Sequence, residues 1–507
     1  MGRRGTLAAT AAVGICLWLL AGCQSPPPAG PVVALEAGAV AGTVDGGVAV
    51  FRGIPYVAAP VGNRRWRAPQ PIDSWSGVRD ARSFAPACPQ PARQDRDSGI
   101  DRTAEDCLYL NVWAPAGASG APVMVWIHGG AFRIGAGSLP FYDGTSFARN
   151  GVVLVTFNYR LGRFGFFAHP ALEESGNFGL MDQAAALRWV KDNVAAFGGD
   201  PGNVTVFGES AGGASVLYLL TSPKTAGLFD KAIIESGGGL QVTGHLSQRR
   251  GLRPSLTGQG LAWQGRQVSA AALRALPVAE VLGDGPIRGI GSTGPVIDGD
   301  WVVADPGARL ARGEFHRVPV LVGSNSHEAS VLAAFGTDAE RAVAASGVDV
   351  VALRRLYPGD DWAAAAWGDA AFVAGARYTA RAVAQAGEDA YLYHFDYVLA
   401  RRRDKVPGAG HGSEIPFVFN TLDALPFSRM LVADADRAMA RRLHSHWLSF
   451  ARGGDPAGRV EGYWPAYAVD KDTLLYIGES VEPRIGFRRQ QLDFHEARWQ
   501  RLQNGDR

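Results

Sequence analysis

Cysteine is scarce in this chain, four residues in 507, which excludes a small disulfide-stapled scaffold. There is no H-E-x-x-H segment and no pair of C-x-x-C segments, so the sequence offers no zinc-like ligand spacing, and no metal or cofactor is expected. Charge of one sign is missing too: 50 Lys and Arg stand against 48 Asp and Glu, a formal net charge of +2. So close a balance creates no long-range field, and nucleic acid is not an expected partner. The 65 glycines and 30 prolines follow no three-residue period, which removes collagen-like readings, and there is no internal repeat of about 20 to 50 residues.

What is present is a chain with 47% hydrophobic residues. At this size folding takes roughly three quarters of the unfolded surface out of water, enough for one extended core. The first segment reads as an address. Arg3 and Arg4 precede an apolar stretch from Leu7 to Leu20, too short for a mature spanning helix and followed by small residues, which is the pattern of a secretory signal. Leu20, Ala21, Gly22 and Cys23 have the form of a bacterial lipobox, so residues 1–22 are expected to be removed and Cys23 to carry lipid. The expected location is the cell envelope, reached by export and held by a lipid anchor. Residues 23–34, with three successive prolines, suit a stiff tether, and 35–507 then form one domain. With Cys16 removed and Cys23 acylated, Cys88 and Cys107 are an even pair in an oxidising compartment and are expected to be bonded.

From Val123 onward, short apolar runs alternate with helical patterns, which predicts an α/β layout with a mostly parallel sheet flanked by helices. The expected strands are Val123 to Ile127, Val152 to Asn158, Val204 to Phe207, Lys231 to Glu235, Val318 to Val322, Tyr391 to Phe395 and Leu474 to Ile477. Leu187, Val190, Val194 and Phe197 recur at helical spacing after Asp182 and stop at Gly198 and Gly199. Met439, Leu443, Trp447 and Phe450 mark another helix, opened by Asp434 or Asp436 and closed by Gly453. The Ala-rich stretch from Thr337 to Ala386 reads as helical, a subdomain or lid.

Gly208, Glu209, Ser210, Ala211 and Gly212 form G-x-S-x-G. The bare pentapeptide is weak in so glycine-rich a chain, but here it follows an apolar strand and opens a helical run, the context that lifts a serine hydroxyl above a sheet edge. A serine needs a base to take its proton and preplaced donors for the oxyanion formed on attack. His128, Gly129, Gly130, Ala131 and Phe132 follow the strand Val123 to Ile127, and small residues there let main-chain amides approach a substrate. The amides of Gly130, Ala131 and Ala211 are the expected oxyanion hole, with His128 a loop-packing residue.

Seven segments then occur in order: Phe51 to Tyr56 (FRGIPY), Glu105 to Trp113 (EDCLYLNVW), Val125 to Phe132 (VWIHGGAF), Asn158 to Leu161 (NYRL), Phe207 to Gly213 (FGESAGG), Gly294 to Gly299 (GPVIDG) and His411 to Phe419 (HGSEIPFVF). By these the chain resembles the type B carboxylesterases, the cholinesterase-like branch of the α/β-hydrolase fold. The resemblance implies that fold, with helical insertions near the active-site mouth. It also implies cofactor-free hydrolysis of a small-molecule ester and a catalytic order Ser, Glu, His. Ser210 fits the nucleophile, Glu328 the acid and His411 the base, while the Cys88 to Cys107 bridge matches the family's disulfide near the gorge rim. The family usually flanks the acid with Asp and Gly, where this chain has His327 and Ala329. Among other histidines, His394 falls in a strand pattern, His444 and His446 lie on different helix faces, and His495 sits in a charged tail.

True cholinesterases, which the chain also resembles, carry a tryptophan in that disulfide loop to face a quaternary ammonium. Here Pro89 to Asp106 has no aromatic residue but holds Arg93, Arg96 and Arg102, which predicts weak preference for choline esters over neutral ones. Gly238, Gly239 and Leu240, where many relatives have bulkier residues, suggest a roomy acyl side. A non-catalytic binding module and a lipase for dispersed long-chain lipid are the competing classes. Survival of Ser210, Glu328 and His411 weighs against the binding module.

Overall fold

The computed structural model describes residues 1–2, 30–91, 100–169, 171–172, 174, 176–244, 269–283, 294–424, 428–458, 460 and 463–504. The apolar leader, Cys23, Arg93 and Arg96 lie outside these residues. Among the described residues no helix is long and apolar enough to cross a membrane.

In chain order the strands are β1 (Val32–Leu35), β2 (Gly38–Ala41), β3 (Thr43–Asp45), β4 (Val48–Pro55), β5 (Val78–Asp80), β6 (Tyr109–Pro115), β7 (Ala121–Ile127), β8 (Val153–Phe157), β9 (Gly199–Glu209), β10 (Lys231–Glu235), β11 (Val320–Asn325), β12 (Ala390–Phe395), β13 (Thr473–Ile477) and β14 (Val481–Ile485). An 11-stranded sheet runs β14-β13-β12-β11-β10-β9-β7-β8-β6-β4-β3, and β1, β2 and β5 form a small second sheet. From β13 across to β8 every neighbouring pair is parallel, while the pairs beyond them at both edges are antiparallel. This is the expected α/β-hydrolase architecture.

Strands β8, β10 and β12 are buried along their whole length, as covering on both faces requires. Because alternate side chains point to opposite faces, Val123, Val125 and Ile127 join one core cluster with Val155 and Val206, while Met124 and Trp126 join another with Leu154 and Phe207. Five helices matter for the site: α1 (Phe178–Asn193), α2 (Ala211–Thr221), α3 (Ala374–Gln385), α4 (Asp434–Gly453) and α5 (Arg489–Gln503). Leu187, Leu217 and Val383 place α1, α2 and α3 on the first cluster, and Leu443, Trp447 and Phe450 place α4 on the second.

Several boundaries differ from the sequence reading, each for a physical reason. Helix α1 starts before Asp182, which lies inside it, fully buried, because its carboxylate takes a bidentate pair of 2.7 Å bonds from Arg160 and a third from the Arg160 amide. Helix α4 is opened by Asp436, whose carboxylate accepts from the Ala433 amide at 2.7 Å, and the left-handed residue that stops it is Gly454. The Ala-rich stretch is not one body: Val343, Leu353, Trp362 and Ala366 form a small core of their own, whereas α3 belongs to the layer on the main sheet. The charged tail is α5, and His495 is buried in it. Arg377 on α3 holds that helix by ion pairs to Asp493 and Glu496. Val32–Leu35, of which composition assigns the first three residues to the tether, pairs with Gly38–Ala41 as β1 and β2.

Candidate active site

Between the end of β9 and the start of α2 stands one residue, Ser210, with φ 56° and ψ −120°. Side chains rarely adopt that conformation, and it persists only where its surroundings enforce it. Two glycines do so. A Cβ on Gly212 would lie 1.9 Å from the Ile127 carbonyl oxygen, and one on Gly208 would lie 2.6 Å from the same atom, so strand and helix close on β7 only without side chains there. The Ser210 amide donates to the Glu235 carbonyl at 2.9 Å, which fixes the turn to β10.

The H-G-G-A-F loop leaves the end of β7 beside it. Gly130, Ala131 and Phe132 have successive φ values of 105°, 55° and 60°, curling the backbone, and a Cβ on Gly129 would stand 3.2 Å from the Ser210 Cβ. Ala211, as first residue of α2, carries an amide with no acceptor inside the helix. The glycine loop is anchored from outside: the Gln90 side chain both accepts from the Gly135 amide and donates to its carbonyl, at 2.9 Å each. Cys88, two residues earlier, is bonded to Cys107. His128 is buried against Tyr159, ring centroids 4.4 Å apart, and burial pushes its pKa down to about 4, which fits a neutral packing residue.

Glu328 follows β11 by three residues and His411 lies on the loop after β12. His411 Nδ1 stands 2.5 Å from Glu328 Oε2, and the other carboxylate oxygen accepts from the Ser236 hydroxyl and the Asn325 amide, both at 2.7 Å. The His411 loop is tied to the β11 loop throughout: the His411 amide donates to Ser330 Oγ, the Ala409 amide to Ser326 Oγ, and the Asn325 side chain to the Gly410 carbonyl. Glu328 therefore meets His411 despite the altered neighbours His327 and Ala329.

Two features of this cluster escape a reading by motif. The carboxylate of Glu209, the variable residue of G-E-S-A-G, lies 3.1 Å from His411 Nε2 without hydrogen-bond alignment, and Glu235 and Glu414 are buried behind it. Burial alone would lower the His411 pKa, but Glu209 and Glu328 outweigh it and push it up to about 9. Burial raises Glu209 to about 7, with the His411 charge opposing. Glu235 is raised to about 8 by burial, against its bond from Trp447 Nε1 at 2.7 Å. Burial likewise holds Glu414 well above the usual range, and it accepts from the Asn325 side chain. The signal for Glu209 was present in the pentapeptide, at the position a pattern leaves free.

Ser210, Gly130, Ala131, Ala211 and His411 all line one cavity of about 990 Å³, and Glu328 backs His411 from behind. Its walls include Phe132, Leu139, Tyr218, Phe335, Phe372 and Leu399, with Arg402 and Glu209 also lining it. Arg102 is exposed and donates to the Phe84 carbonyl, away from these walls. Gly238 and Gly239 are not among the described residues that line the cavity. The space beside them is taken: a Cβ on Gly238 would lie 2.1 Å from the Gln241 side-chain nitrogen, and one on Gly239 would lie 3.1 Å from the Gly375 carbonyl oxygen of α3. Among the described residues no cluster of His, Cys, Asp and Glu has metal-holding geometry.

Comparison with known proteins gives one answer throughout. The model of the carboxylesterase family matches residues 29–355 and 361–495. A fumonisin B1 esterase of Sphingopyxis macrogoltabida is 37% identical over 487 residues, covering 88% of this chain and 86% of that protein. A para-nitrobenzyl esterase of Bacillus subtilis is 36% identical over 474 residues, 88% of this chain and 95% of its own length. Among solved structures, a PNB esterase aligns with TM-score 0.80 at 34% identity, and a carboxylesterase of Geobacillus stearothermophilus with 0.78 at 35%. Each covers 91% of this chain and 99% of its own.

Proposed function

The chain belongs to the carboxylesterase family and hydrolyses carboxylic esters, and on that premise we propose that Ser210, Glu328 and His411 act as its catalytic triad. The observation that carries the reading is that a strained serine and a carboxylate-paired histidine line the same cavity at the C-terminal edge of parallel strands. Ser210 Oγ attacks the ester carbonyl while His411 Nε2 takes its proton. Glu328 fixes the imidazole through Nδ1 and stabilises the imidazolium. The amides of Gly130, Ala131 and Ala211 meet the oxyanion. Collapse expels the alcohol with the proton from His411, and water, deprotonated by the same imidazole, releases the acid from the acyl-serine.

The substrates are small to medium neutral esters. The mainly apolar walls support this, as does the unaromatic interval Pro89 to Asp106, while Arg402 at the wall opposes a quaternary ammonium. We also propose that the mature protein begins at a lipidated Cys23 and is held to the bacterial cell envelope, a reading supported by the sequence from Arg3 to Cys23.

The test is hydrolysis of a short-chain p-nitrophenyl ester by the protein and by Ser210→Ala. A fall of about three orders of magnitude or more is expected, and residual activity near wild type would overturn the triad. In the same assay, butyrylcholine hydrolysed with a kcat/KM equal to or above that of its uncharged isostere would refute the substrate class.

A further inference from the structure

One helical run, Trp362 to Gln385, packs against the back of the Glu328–His411 pair, and it is interrupted once, by a turn of π-helix at Asp369–Val373. A π-turn accommodates an extra residue at some cost in hydrogen-bond geometry, so a specific interaction has to hold it, and such turns concentrate at functional sites. Here the holding group is Asp369. It is fully buried, with one carboxylate oxygen accepting from Arg488 Nη1 and the other from the Tyr357 hydroxyl, at 2.7 Å each. Tyr357 in turn stands 3.1 Å from His495 Nε2 on α5. The first residue of the turn is thus clamped from two sides, by the residue that precedes α5 and by the one that follows the helix Val350–Leu356.

The opposite side of the turn meets the site. A Cβ on Gly368 would lie 3.3 Å from the Glu328 Cβ, so this backbone abuts the acid directly. Three residues after Asp369, the Phe372 ring lies on the His411 imidazole, centroids 4.9 Å apart and planes 38° apart, and Trp367 backs Phe372 edge-on at 5.8 Å. The Glu328 bond fixes the imidazole at one edge only. Rotation about that edge would swing Nε2 between the nucleophile and the Glu209 carboxylate, already 3.1 Å away.

From these contacts we infer that Phe372, delivered by the π-turn and its Asp369 clamp, is a positioning residue that limits how far the His411 ring can turn between Ser210 and Glu209. The inference rests on the reading of His411 as general base. A positioning role predicts loss in the chemical step and little in binding. Phe372→Ala should lower kcat about tenfold or more, with KM within about threefold of wild type, because small misplacements of a catalytic group are costly.

The loss should be equal for acetyl and butyryl p-nitrophenyl esters, whereas a ring that merely lines the cavity would give a loss graded with acyl size and visible in KM. Phe372→Tyr, which keeps the flat face, should restore kcat. Wild-type kcat in Phe372→Ala, a change confined to KM, or failure of Phe372→Tyr to restore kcat would each overturn the inference. Where Phe372→Ala does not fold, Phe372→Leu supplies the same test, a kcat near wild type overturning it. Ser210→Ala run alongside separates the two readings: retained activity there defeats the triad, and its loss together with an unaffected Phe372→Ala defeats only the positioning role.

Discussion

Two carboxylates, one at each nitrogen of the His411 ring, set the pH behaviour expected of this enzyme. His411 must be neutral to accept a proton, and its pKa is held up to about 9 by Glu209 and Glu328 against burial. Activity should therefore rise along an acid limb lying above the ordinary imidazole value. Removing one carboxylate makes the imidazolium easier to deprotonate, so Glu209→Gln should move that limb in kcat/KM toward lower pH. Rates measured between about pH 5 and pH 10 decide it. An unmoved limb would mean that Glu209 carries its own proton over this range and exerts no charge on the imidazole. The same shift bears on stability. Because the folded pKa is raised, the contribution of His411 to stability is complete below its unfolded value of 6.5 and is lost as pH climbs through about 9.

At the scale of elements, the junction of β7, β9 and α2 depends on hydrogen atoms at Gly208 and Gly212. Gly212→Ala should cost about 1–3 kcal/mol as an overpacked core and should depress kcat far more than global unfolding explains, since the clash is with the backbone of Ile127. Thermal unfolding beside kcat makes the comparison. The same junction was legible in the sequence, because a buried parallel strand, a tight glycine turn and a helix each leave a short local pattern. The strands before Val123 were not. Those of the main sheet pair antiparallel beside one edge, and β4 and β6, though eight and seven residues long, are joined across more than fifty positions of chain, so no local pattern links them, and β6 shows in the sequence only as a motif. Asp182 misled in the opposite direction. A buried, Arg160-paired aspartate inside α1 has the composition of a helix start, and only the tertiary partner shows otherwise. Glu328 and His411 were found by resemblance, whereas Glu209, Ser236 and Asn325 act through contacts that no spacing announces.

For the molecule as a whole, the attachment expected at Cys23 predicts where the activity is found. Cells making the full chain should hold it in the membrane fraction, and Cys23→Ser should release active enzyme to the soluble fraction. Wild-type enzyme that fractionates as soluble would remove the anchor without touching the esterase. The anchor and the chemistry are separable in this way because, among the described residues, those lining the cavity lie at Gly129 or beyond, far along the chain from Cys23. The loops bearing Glu328 and His411 are not separable from each other. Ser326, Ser330 and Asn325 grip residues 409–411 by three hydrogen bonds, so two stretches more than eighty positions apart in sequence form a single mechanical part. For anyone recombining this enzyme with a relative, that part is the indivisible unit of exchange: a crossover between the two stretches yields a chimera whose acid and base come from different parents, and inherits neither alignment.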